Sequence, residues 1–176
     1  MVATSVYIIM FRIVHVLGGI AWGGAVFVIV LFLQPTAKAI GPAAGPFMRE
    51  LLGARKLIDW VIRIAWLTIV AGGFLYWHDL DLAPSLGDFL ESAFGLWLTL
   101  GAASALVAVG IGMFATRPTI LRSLAVGAQI AQAGEQAPPE LMQELGALQT
   151  KGRTLAKWNL AFVTFAAFAM STARYW

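Results

Sequence analysis

A chain of 176 residues that is 60% hydrophobic and only 12% charged carries more apolar surface than a soluble domain of this size can hide, since such domains run at about 45–50% apolar and about 25% charged. Lipid is therefore the expected solvent for much of it. Cysteine is absent, which excludes disulfides, thiolate metal sites and a catalytic Cys, and the small net charge of +3, placed between apolar runs, fits anionic headgroups and argues against nucleic acid as a partner.

A helix needs about 20 apolar residues to cross a bilayer. On that measure the sequence predicts an all-α integral membrane four-helix bundle in one domain, with spans at about 6–33, 57–77, 94–115 and 156–175. The first span holds Arg12 and His15 and is expected to end at Gln34-Pro35; its length and Arg12 argue against a cleavable signal peptide. Gly41-Pro42 and Gly45-Pro46 then lead into a short interfacial helix with Phe47, Leu51 and Leu52 on one face. The cleanly apolar part of the second span, Ile64 to Trp77, is too short to cross alone. Asp59 and Arg63 are therefore expected at its boundary, as an ion pair at i,i+4 spacing.

Gly101, Ala105, Ala108 and Gly112 form a small-residue stripe on the third span, which reads as a packing seam. Arg117-Pro118 is expected to close that span. Residues 119–133 favour helix, and Pro138-Pro139-Glu140 starts another helix, with Leu141, Leu145, Leu148 and Leu155 at helical spacing. Spans three and four should thus extend into the cytoplasm as a helical hairpin with its tip near Gly134–Pro138. Trp158 and Tyr175-Trp176 flank the fourth span as an interfacial belt, and Lys157 and Asn159 sit at its inner end, where they can cap or pair.

Orientation follows from the connecting segments. Lys38, Arg49, Arg55 and Lys56 lie between spans one and two; Arg117, Arg122, Lys151, Arg153 and Lys157 lie between spans three and four. Residues 78–93 carry no Lys or Arg but hold Asp79, Asp81, Asp88 and Glu91. The positive-inside rule puts both basic loops in the cytoplasm of a bacterial inner membrane and both termini outside. Arg12 and Arg174 are left on the outer side, unexplained by that rule.

The segment richest in chemistry runs from Arg12 to Gly24. His15, Gly18, Gly19, Trp22 and Val26 share a helical face, with Arg12 one turn outward. Gly19 and Gly23 allow close approach of a backbone or a flat ligand. A histidine inside a span is a functional-site hypothesis by default; the competing reading is a histidine bonded to a neighbouring helix, with the glycines serving packing alone. His78, at the outer end of span two, is the only other histidine. Methionines are scattered rather than clustered, so soft copper ligands are scarce.

His15, Trp22 seven residues later, and Gly23-Gly24 resemble the first helix of CopD-like copper-resistance membrane proteins. The same residues look like the HemJ-type protoporphyrinogen oxidases, small four-helix membrane proteins whose corresponding histidine is implicated in haem binding. Gly45 to Met48 and Ala173 to Tyr175 are similar to stretches of uncharacterised CopD-like bacterial proteins. The HemJ-type Pro-Arg-Leu after the first-helix Trp is absent here. The resemblance implies a haem b-binding protein for electron transfer or haem-linked redox chemistry, alone, as a homo-oligomer or as a subunit of a larger membrane complex. Neutral imidazole is a common haem ligand, so the resemblance implies His15 as an axial ligand and His78 as the candidate second one, Gly19 and Trp22 in the pocket, and Arg12 and Arg174 at the propionates through planar guanidinium forks. The alternatives are an assembly subunit without cofactor, and a CopD-type permease for copper or a small solute.

Overall fold

The computed structural model describes the backbone of residues 2–176 and the side chains of residues 6–134 and 136–176. The chain opens with α1 (Val2–Val28) and passes through a π-helical segment, Ile29–Leu33, into α2 (Gln34–Ile40). A 3-10 turn (Gly41–Ala44), α3 (Gly45–Arg49) and a second π segment (Glu50–Ala54) follow. Then come α4 (Leu57–Asp81), α5 (Leu86–Glu91) and α6 (Ala93–Gly110). A third π segment, Ile111–Thr116, joins α6 to α7 (Arg117–Ala133); α8 (Pro139–Thr172) and a last turn, Ala173–Tyr175, complete the chain. No strand occurs among the described residues.

Two prolines expected to end spans do not end helices. Helix continues through Pro35 to Ile40 and through Pro118 to Ala133. A proline inside a helix lacks an N–H and presses on the carbonyl four residues back. In both places a π segment lies directly upstream, and its wider turn relieves that conflict by shifting the carbonyl ladder. The real breaks fall where the backbone takes unusual angles. Gly41 has φ +67 and Gly134 has φ +57, and Lys56 takes a left-handed φ of 52 just before α4.

The long helices α1, α4, α6 and α8 pack each antiparallel to the next. Phe11 stacks on Phe74 at 4.5 Å, Tyr76 reaches Thr99 at 2.8 Å, and Ser104 donates to the Phe162 carbonyl at 2.8 Å. Gly23 of α1 faces Val163 of α8. Both termini therefore sit at one end of the packed helices. At the opposite end α7 and the first half of α8 form the helical hairpin, with Val126 fully enclosed.

The distribution of side-chain size is inverted relative to a soluble protein. The interior is filled by small residues such as Ala65, Ala71, Ala108, Ala166 and Ala169. Large apolar side chains point outward, among them Leu17, Ile20, Trp66, Phe74, Leu106 and Phe168. Small interior residues let backbones approach closely, which is how helices associate in lipid. Three helical runs, Val6–Ala54, Leu57–Asp81 and Ala93–Ala133, are long and apolar enough to cross a membrane. α8 is not among these three; Lys157, Trp158, Asn159 and Thr164 dilute its apolar half.

Two further contacts were not anticipated. Asp59 does not pair with Arg63. It bonds Arg117 Nε at 2.7 Å, while Arg63 lies over the Trp60 ring at 5.2 Å. The acidic segment after α4 is also more ordered than a loop. Ser85 and Ser92 cap α5 and α6, and Phe89 is buried between Tyr76 and Phe94. Its carbonyl stands where a Cβ on Gly95 would lie.

Candidate functional site around His15

His15 sits halfway along α1, on the face that meets α4. Its Nδ1 lies 2.9 Å from the Thr68 carbonyl. A carbonyl oxygen only accepts, so Nδ1 carries the proton and donates. In the neutral ring this leaves Nε2 as a lone-pair acceptor. Thr68 itself is buried and donates its hydroxyl to the Ile64 carbonyl at 2.9 Å.

Two glycines make this contact possible. A Cβ on Gly72 would stand 2.6 Å from His15 Cε1 and 2.7 Å from Nδ1. A Cβ on Gly18 would collide with Thr68 Oγ1. Each helix thus offers a notch that the other fills: His15 of α1 enters at Gly72, and Thr68 of α4 enters at Gly18. Gly19 lies within ordinary contact of Thr68, at 3.8 Å, and Gly23 of Val163, at 3.4 Å. The chain's own side chains therefore fill the space at Gly18 and line that at Gly19 and Gly23.

The other expected site residues lie around this pair rather than in it. Arg12 is exposed, one turn toward the terminal end from His15. Its neighbour Phe11 stacks on Phe74, which closes α1 against α4 above the imidazole. His78 is half-buried on α4, six residues past Gly72, which is about 9 Å of helical rise. Arg174 is exposed in the turn that ends α8, beside Trp176, which stacks on Trp97 at 5.8 Å. Trp22 is buried, two turns inward of His15. No hydrogen bond or ion pair joins Arg12, His78 or Arg174 to His15 among the described residues.

Against a haem, this geometry meets one requirement. A metal-binding histidine characteristically donates its second nitrogen to a carbonyl or carboxylate, which fixes tautomer and ring angle. The His15–Thr68 bond does this for Nε2. Thr68 was the partner missed in the sequence; its signal is a lone hydroxyl in the run Trp66 to Val70. Comparison with known protein families, with curated proteins and with solved structures returns no match.

Proposed function

We propose that this chain is a four-span protein of the bacterial inner membrane that binds b-type haem through His15 and serves electron transfer, alone or within a larger membrane complex. The observation that carries the reading is the His15 Nδ1 bond to the Thr68 carbonyl at 2.9 Å, which leaves Nε2 as the ring nitrogen that would hold the iron. Bound haem supplies one-electron iron chemistry. The chain's part is to fix the ring angle of one imidazole, to surround it with apolar helix, and to offer Arg12 and Arg174 as cations at the terminal end. His78 stands as the candidate second ligand on the helix that bears Gly72.

Insertion of all four long helices is supported by the large exposed apolar side chains of α8, Trp158, Phe165 and Phe168, which complete the belt begun by the other three. Contiguous apolar surface of that extent calls for lipid or protein cover. The positive-inside rule then sets both termini outside and the hairpin in the cytoplasm.

A second reading has its own support. The interlocking of His15 with Gly72 and of Thr68 with Gly18 is what a helix-pairing device needs, and it requires no cofactor. Absorbance of protein purified from haem-replete cells separates the two. The first reading expects a Soret band that sharpens on reduction and is lost in His15→Ala. Colourless protein, or haem kept by His15→Ala with an unchanged spectrum, sinks it. Colourless protein whose Tm falls sharply in His15→Ala establishes the second.

A further inference from the structure

Away from His15, toward the hairpin end, the four long helices line a partly open cavity of about 60 Å³. Its walls include Trp22, Val30, Ile62, Gly112, Thr116 and Asn159. Two polar atoms stand out in this apolar setting. Asn159 is only 7% exposed, and its Nδ2 donates to the Ala108 carbonyl at 2.6 Å. Its Oδ1 is buried without a hydrogen-bond partner, and so is Thr116 Oγ1. Both residues line the same cavity. Thr116 lies one turn after Gly112, and a Cβ on Gly112 would stand 3.7 Å from Asn159 Nδ2, so the two oxygens belong to one neighbourhood.

We infer that this cavity is a binding site for ordered water, with one molecule bridging Asn159 Oδ1 and Thr116 Oγ1. A buried polar atom left unpaired costs about 1–3 kcal/mol, and two would share one small space. A water needs roughly 30 Å³ at liquid density and two or more polar partners, so the cavity has room for about two. The chemistry matches. An amide oxygen only accepts, a hydroxyl oxygen accepts as well as donates, and water supplies two O–H donors.

A small cation fits less well. The lining holds no carboxylate. The nearby Asp59, next to the lining residue Ile58, is already bonded to Arg117. An ion stripped of water needs more than two neutral oxygens. The walls also explain why the cavity persists. Ile29 and Val30 come from the first π segment, and Gly112 and Thr116 from the third, so two widened turns contribute to its wall. The inference is independent of haem.

The test is a high-resolution structure of the full chain together with thermal unfolding of Thr116→Val, an isosteric change that leaves the Asn159 bond to Ala108 alone. The expected result is an ordered density peak within hydrogen-bonding reach of both oxygens. It should disappear in Thr116→Val, with Tm lowered by about 2–4 °C. A dry cavity overturns the inference. So does a Tm that is unchanged or raised in Thr116→Val, because removing an unpaired hydroxyl relieves the protein, whereas removing a bridged one harms it.

Discussion

Gly72 and Gly73 are adjacent, both helical and identical in chemistry, yet only one carries the His15 contact. A Cβ on Gly72 meets the imidazole at 2.6 Å, while a Cβ on Gly73 meets nothing within 4 Å. Gly72→Ala should push the ring off the Thr68 carbonyl and cost about 1–3 kcal/mol through overpacking. Gly73→Ala should be neutral or gain up to about 1 kcal/mol, because alanine suits a helix better. Thermal unfolding of the two variants side by side checks this; equal shifts would mean that the notch does not hold the ring. Which of the two adjacent glycines matters is not legible in the sequence, because that depends on the azimuth of α4 against α1, fixed only when the helices pack.

At the scale of elements, the hairpin between α7 and α8 depends on its turn. Gly134 has φ +57 and ψ −129, a region almost confined to glycine, and a side chain there costs about 1–3 kcal/mol. Gly134→Ala should therefore speed amide hydrogen exchange across the hairpin while leaving α1 and α4 protected; unchanged exchange would show that the turn tolerates a Cβ. The Arg122–Glu144 pair is a poor substitute anchor. The hydrogen bond that Arg122 donates to Glu144, then the carboxylate's charge, raises the Arg122 pKa above its ordinary value, but that guanidinium is exposed and the pair is screened. Enclosed Val126 does more to hold the two helices together.

The hairpin and its tip were readable from proline, glycine and leucine spacing. Pro35 and Pro118 mark the expected span ends, yet helix runs through both, because the π segments before them make room for the proline ring. Asp59 and Arg63 show the limit of local spacing. Four residues apart on one helix, they looked like partners, yet Arg117 on α7 reaches the carboxylate instead. The helix α5 was missed because its anchor, Phe89, is one aromatic among acids, and its burial depends on Tyr76 and Phe94 on either side.

Over the whole molecule, the 34 residues of α8 rise about 51 Å at roughly 1.5 Å each, against a hydrocarbon thickness of about 30 Å. On the proposed insertion, about 20 Å of it stands outside the apolar layer, at the hairpin end with Lys151 and Arg153. A C-terminal reporter that works only outside the inner membrane should be active, and one that works only in the cytoplasm silent; the reverse pattern overturns the proposed orientation. What joins the hairpin to the helices beneath it is the π segment Ile111–Thr116. A π turn holds one residue more than an α-turn, and one residue of α-helix is worth about 100° of rotation. The extra residue therefore acts as a phase setting. In a chain one residue shorter there, every side chain of α7 would turn by about a quarter of a circle. Val126 would leave the seam and Arg122 would swing away from Glu144, with no other position in the sequence altered.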